Sequence, residues 1–478
     1  MILEEPPEPR RRRLPLVIAV VLVLALLAGA AVVYVVFVRD TGPPHPDKWD
    51  SRVEELVEIV EDERDLDFEH PVYVDFLSEA EFKKKVTSDD DDLTDEDREE
   101  IEQATGLLRA LGLVEGDLDL FESSNELRGS SVLGYYSYKD ERIRIRGTEV
   151  TPAVRSTLVH ELTHVLQDQH FDLEEMTDSV EDDSSASSAL DALIEGDARR
   201  IETKWRDGLS EEERKAVVES RKEQSQGTDS DDVDAPEVPE VLTTMMSAPY
   251  ELGEALLAVA VEQGGDRAVD KLFERPPTTD EHQLDPWTLV EDHAVPLDVP
   301  TPKPAEGEES FDDGPFGAVM WMLLLAERIP VKRALTAADG WGGDGYVAFE
   351  RDGVACVRVD YRGDTLQDLD QMGAALTTWV ARLPEASASV KVSGSMLTFE
   401  SCDPGPQATS VATKSSKDAL LLALSRTYLS VNLVKGGLEE GVARCAADLL
   451  VREFSLKELN DPEIDPQRVR RIIAPCQA

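Results

Sequence analysis

Residues 160–164, His-Glu-Leu-Thr-His, set two imidazoles four positions apart with a carboxylate beside the first. On a helix, positions four apart share a face, so both rings can grip one cation. The carboxylate of Glu161 falls about a third of a turn away, beside the open side of that cation. In this pattern His160 and His164 hold zinc, and Glu161 takes the proton of an attacking water. The bland alternative is a polar face on an ordinary helix. Against it, the motif lies among Leu158, Val159, Leu162, Val165 and Leu166, and polar groups set in apolar surroundings are expensive to bury without a partner.

Zinc in such a site needs a third protein ligand. The next helical stretch offers Glu195 in "EGDA", with Asp191, Asp197 and Glu202 as the other carboxylates on it. Glu195 is the expected ligand, and Gly196 beside it lets two helices approach closely. Asp191 and Asp197 could orient a histidine; Asp191 shares the face of Glu195 and Asp197 does not, so that role stays open. An oxyanion donor is also required, and Tyr250, His282, Tyr135 and Tyr136 are candidates.

The elements that must position these groups are legible in outline. Thr151 can cap the motif helix, and Pro152 suits its first position, where no N–H is needed. A hairpin is expected at 130–147, with "YKDE" as its turn. Its "RIRIR" arm, 142–146, could pair with an extended substrate or be an ordinary edge strand. A strand is expected within 70–78 and a helix over 49–64. Another helix is capped by Thr94 and ends near Gly112. The downstream helix is expected to be capped by Ser187 or Ser188 after a polar loop, 176–188, and closed by Gly208. Residues 225–241 read as a second polar loop, and helices are expected at 250–263 and 316–328. "RPPTTDEHQLDP" reads as an ordered loop, "GWGGD" as a tight turn, and His170 as a hydrogen-bonding or capping residue.

With HExxH and a glutamate on a following helix, the chain resembles the gluzincin class of zinc metallopeptidases. It looks most like membrane-anchored bacterial members that pair "HELTH" with "EGDA"-, "PPTTDE"- and "GWGGD"-like stretches. The resemblance spans roughly 70–350. It implies a zincin-like domain with zinc on His160, His164 and Glu195 and with Glu161 as general base. Familiar members carry an aspartate four residues after the ligand glutamate. Here Arg199 stands there, so the surroundings of the ligands must differ.

The 478 residues carry 99 acidic against 49 basic side chains, a net charge of −50. Such a surface repels nucleic acid, so no nucleic-acid partner is expected. Residues 14–38 hold no charge and are long enough to span a bilayer, behind four arginines at 10–13. The positive-inside rule then sends the rest of the chain to the extracytoplasmic side of the cell membrane. A cleaved signal peptide competes, with "AGA" at 28–30 as its cleavage site, but the apolar run continues well beyond it. Four cysteines, all in the last third, fit an oxidising compartment and two disulfides. The preferred pairs are Cys356–Cys402 and Cys445–Cys476.

The expected architecture is therefore α+β. A basic segment (1–13), a transmembrane helix (14–38) and a linker (39–50) precede a metallopeptidase-like domain (51–340), a small α+β unit (341–412) and a helical disulfide-stapled unit (413–478). The expected activity is hydrolysis of a peptide or protein substrate by zinc-activated water. The alternatives are a catalytically silent surface binding protein that keeps the fold, and a zinc hydrolase of a non-peptide amide.

Overall fold

The computed structural model describes residues 43–226, 238–289, 295–384, 387–408, 412–461 and 463–477. The expected membrane span at 14–38 and most of the polar loop at 225–241 lie outside them. Among the described residues no helix is long and apolar enough to cross a membrane. The fold is α+β.

The chain opens with α1 (Glu54–Arg64), β1 (Tyr73–Leu77), α2 (Glu79–Val86), α3 (Asp95–Ala110) and α4 (Leu120–Ser131). Thr94 caps α3 in a reciprocal capping box with Asp97, the arrangement that satisfies two orphan N–H groups at once. Next come β2 (Gly134–Ser137) and β3 (Arg142–Arg146), the expected hairpin, although α4 occupies its proposed first residues. The sheet order is β1-β3-β2, with β1 parallel and β2 antiparallel to β3. "RIRIR" is thus the central strand, with both edges already paired. It cannot receive a substrate strand; the edge strands are β1 and β2.

The motif helix α5 (Pro152–Phe171) begins as its sequence demands, with the Thr151 hydroxyl accepting from the Val154 N–H. Leu158, Val159, Leu162, Val165 and Leu166 are fully buried against Ile143 and Ile145 of β3 and Val53, Leu56 and Val60 around α1. Burying an aliphatic side chain contributes roughly 1.5–3 kcal/mol, so this stripe locks the helix onto the sheet. His170 donates from Nε2–H to the Asp67 carbonyl oxygen at 2.8 Å.

After α6 (Leu173–Ser179) comes α7 (Ser184–Gly208), which starts four to five residues earlier than expected. Its cap is Asp183, whose carboxylate accepts from the Ala186 N–H at 2.9 Å, and neither Ser187 nor Ser188 serves. A carboxylate complements the positive end of a helix better than a hydroxyl does. Then follow α8 (Glu211–Gln226), α9 (Glu240–Gly264, longer than expected and with Pro249 inside it), α10 (Asp266–Glu274) and the single turn α11 (Glu281–Leu284).

The remainder is β4 (Glu308–Gly314), α12 (Ala318–Ala326), α13 (Val331–Ala338), β5 (Trp341–Arg351), β6 (Val354–Gly363), α14 (Leu366–Val380), β7 (Ala388–Ser393), β8 (Met396–Cys402), α15 (Ser416–Lys435), α16 (Glu440–Glu453), α17 (Leu456–Leu459) and α18 (Pro466–Ile473). The second sheet is antiparallel, in the order β4-β5-β6-β8-β7. Of "GWGGD", expected as a tight turn, only Gly340 lies in a turn, and Trp341–Asp344 open β5. Its glycines serve close approach: a Cβ on Gly343 would lie 2.4 Å from the Leu297 carbonyl oxygen. Asp344 accepts from the indole N–H groups of Trp321 and Trp341 at 2.6 and 2.7 Å. A continuous core joins residues from Ala104 of α3 through α9 and α12 to Val451 of α16. Both expected disulfides are present, Cys356–Cys402 across β6 and β8 and Cys445–Cys476 at the C-terminal end.

Candidate metal centre

His160, His164 and Glu195 converge from two helices. Their nearest atoms form a triangle: His160 Nε2 to His164 Nε2 is 3.1 Å, His160 Nε2 to Glu195 Oε2 is 3.2 Å, and His164 Nε2 to Glu195 Oε2 is 3.4 Å. Zinc binds nitrogen and oxygen at about 2.0–2.2 Å, which makes the edge of its coordination tetrahedron roughly 3.3 Å. The triangle is therefore the size of one face of that tetrahedron, and the fourth corner is left for water or substrate. Among the described residues this is the only group of three or more histidine, cysteine or carboxylate side chains close enough to hold one ion.

Hydrogen bonding decides which nitrogen of His164 faces the centre. Gln167 donates through Nε2 to the Ile194 carbonyl at 3.0 Å and to Asp197 at 3.2 Å. Its Oε1 therefore points at His164 Nδ1, 2.9 Å away, and can only accept. With Nδ1–H donating, Nε2 of the neutral ring presents a lone pair to the centre. His160 Nδ1 faces Glu202 at 3.9 Å, which favours the same tautomer electrostatically. Two lone pairs and a carboxylate oxygen at these separations repel each other unless a cation lies between them. The donor set fits zinc.

The electrostatics agree. Burial works against charge on His164, but the Glu195 carboxylate outweighs it and lifts the imidazole to about 9. Burial likewise opposes charge on Glu195, and His164 and His160 outweigh it to hold the carboxyl far below its usual range. The centre attracts positive charge, whether a proton or a metal ion.

Glu161 is 5% exposed, and its Oε2 accepts from the Tyr136 N–H of β2 at 2.8 Å. Burial raises its pKa, and His160 and His164 offset part of the rise. A raised carboxyl is better matched to taking and returning a proton near neutral pH. The edge strand thus fixes the proposed base by its backbone, independently of side-chain chemistry.

A third helix completes the site. Gly196 lies against Gly253 of α9: a Cβ on Gly196 would sit 2.3 Å from the Gly253 carbonyl carbon, and one on Gly253 would sit 1.9 Å from the Ala192 oxygen. Gly196 therefore serves the crossing of α7 with α9 rather than with the motif helix. That crossing brings Tyr250 over His160, with ring centroids 5.8 Å apart and planes at 27°. The charge of Glu195, followed by burial and Glu161, pushes the Tyr250 phenol well above its usual range, so it stays protonated and can donate. Of the four oxyanion candidates, Tyr250 is the one stacked on a ligand ring. The Tyr136 hydroxyl is spent on Asp168 at 2.7 Å, Tyr135 packs beside Arg144 and Phe82, and His282 pairs with Thr288 at 2.7 Å.

The other carboxylates of α7 sort themselves. Asp197 is fully buried between Arg64 (2.8 Å) and Arg200 (2.7 Å) and reaches His164 only through Gln167. Glu202 is bound by Arg199 at 2.9 Å, by Ser156 at 2.5 Å and by Arg221. Arg199, the departure from the familiar pattern, thus anchors the carboxylate facing His160. Asp191 makes no hydrogen bond or ion pair among the described residues. Burial and the Glu195 charge push it up to about 7. Sequence reasoning missed Gln167 and the part played by Glu202. The signals were available: Gln167 follows His164 by three positions and shares its helical face, and Glu202 follows Glu195 by seven and so points, as Glu195 does, toward His160.

The chain matches no family model, no curated protein and no solved structure.

Proposed function

We propose that the protein is a zinc-dependent peptidase of gluzincin type. The observation that carries the reading is the tetrahedral-sized triangle of His160, His164 and Glu195 with a buried Glu161 held against it by the β2 backbone. Zinc held by those three side chains would supply a Lewis acid that polarises the scissile carbonyl and acidifies water. Glu161 takes the proton of the attacking water and passes it to the departing amine. Tyr250, kept protonated, donates to the oxygen that gains charge. β2 is an edge strand, and the groups of its open edge other than the Tyr136 N–H, which Glu161 takes, can pair with an extended peptide. The uncharged stretch 14–38 behind its arginines supports a single-pass anchor with the catalytic region outside, and two disulfides suit that compartment.

The test is hydrolysis of a mixed peptide library by the zinc-loaded protein and its Glu161→Ala variant. Cleavage by the former and none by the latter, at equal zinc content, is the expected result. Cleavage by both would remove Glu161 from the mechanism, and cleavage by neither would favour the silent binding protein.

A further inference from the structure

One turn before Glu195 on α7, Asp191 enters the wall of a cavity of about 60 Å³. Its neighbours there are of two kinds. Met245, Ala248, Phe316 and Val319 form an apolar wall, and the polar wall holds Asp280 and Gln283. Those polar groups are already engaged. Asp280 accepts from the Ala318 and Val319 N–H groups at 2.9 and 3.0 Å and from Ser185 at 2.9 Å. Gln283 donates to the Ser188 carbonyl and hydroxyl at 3.1 and 3.0 Å. The Asp191 carboxylate is the acidic group of the lining that has no partner of its own among the described residues.

The cavity lies beside the metal centre. Pro249 lines it, and the next residue is Tyr250 on His160. Asp191 and Glu195 share a helical face about 6 Å apart along the axis. A substrate whose carbonyl meets the centre therefore has this cavity within reach of a neighbouring side chain.

Resting on the peptidase reading, we propose that this cavity is a specificity pocket for a lysine side chain of the substrate, with Asp191 receiving the ammonium. One water-sized group needs roughly 10–15 Å³ of such space, so the cavity holds about five. A lysine side chain has four methylenes and one ammonium. Its stem suits the wall of Met245, Ala248, Phe316 and Val319, and its charge meets the unpartnered carboxylate. The whole surface, at a net charge of −50, attracts basic peptides in the same sense.

The experiment uses two fluorescent peptides that are identical except for lysine or norleucine at each position in turn. Binding is measured by anisotropy to the zinc-loaded Glu161→Ala protein, and cleavage is followed with the wild type. At one position lysine is expected to bind at least tenfold more tightly than norleucine. Asp191→Asn is expected to bring the lysine peptide down to the norleucine level. Ala248→Leu, which fills the cavity from α9, is expected to do the same and guards against a folding defect in the first variant. Equal binding of both peptides at every position, or a lysine preference that survives both substitutions, overturns the pocket. Cleavage without lysine preference would leave the peptidase reading standing and remove the pocket alone. A lysine preference in binding without any cleavage would keep the pocket and remove the peptidase.

Discussion

Gln167 accepts from Nδ1 of His164 at 2.9 Å while its own amide nitrogen is tied to the Ile194 carbonyl and Asp197. A residue outside the motif thereby determines which nitrogen of the motif histidine faces the centre. Gln167→Ala frees the ring to rotate and to change tautomer. Zinc affinity, measured by competition with a chromogenic chelator, is expected to fall by about 10–100-fold with the fold retained. Unchanged affinity would show that the ring is oriented by packing alone.

The crossing of α7 and α9 depends on two glycines. In Gly253→Ala the new methyl would meet the Ala192 oxygen at 1.9 Å, a backbone atom that cannot swing aside. The helices must separate, at a cost of about 3 kcal/mol in stability, and Tyr250 moves away from His160. Thermal denaturation should show a clear loss for this variant. Gly208→Ala, at the end of α7 with nothing within 4 Å of the new methyl, should be neutral or slightly stabilising.

Glu281 lines a second cavity, with Asp285, Asp339, Asp364, Arg426 and Arg444 among its walls. Burial, then the charge of Asp364 and its acidic neighbours, pushes its carboxyl up to about 8. The folded protein therefore keeps a proton that the unfolded chain releases above its ordinary value near 4.5. Stability contributed at this position falls as pH rises from about 4.5 to about 8. Glu281→Gln removes that slope, so its advantage over the wild type should grow across the same window in urea melts at several pH values. A parallel pH dependence in both proteins would contradict the assignment.

The C-terminal helix α18 contains no buried residue, and its Arg468–Glu458 ion pair is exposed on both sides. Exposed pairs contribute little. The Cys445–Cys476 bridge, closing a separation of 31 residues, adds a covalent tether to the stacking of Arg468 on the buried Phe454 ring. Its loss should cost on the order of 3 kcal/mol. Hydrogen exchange of Cys445→Ser/Cys476→Ser is expected to show α18 losing protection while α5 keeps it.

Much of the site could be read in the sequence because it is encoded locally. His160, Glu161 and His164 lie within two turns of one helix, and Thr151 with Pro152 announces where that helix starts. Glu195 was accessible because the motif takes its third ligand from another helix, and the stretch around "EGDA" reads as a helix downstream. What could not be read depends on contacts between distant segments. The periodicity of "RIRIR" predicts a strand but not that β1, some 70 residues earlier, covers its other edge. Gly196 was expected to bring α7 near the motif helix, whereas its partner is Gly253, and nothing near Gly196 in sequence names it. "GWGGD" carries turn residues, yet Gly343 is there for the close approach of the chain at Leu297. Asp183 rather than a serine caps α7, in a stretch that offers several caps in a row, so the exact start could not be read locally.

The central claim is a three-ligand zinc centre, and its most direct test is elemental analysis of the purified protein beside Glu195→Ala. One zinc per wild-type chain, with most of it lost in the variant, is the predicted result. A folded wild-type protein that takes up no zinc when the metal is supplied, or a variant that keeps it fully, would contradict the account.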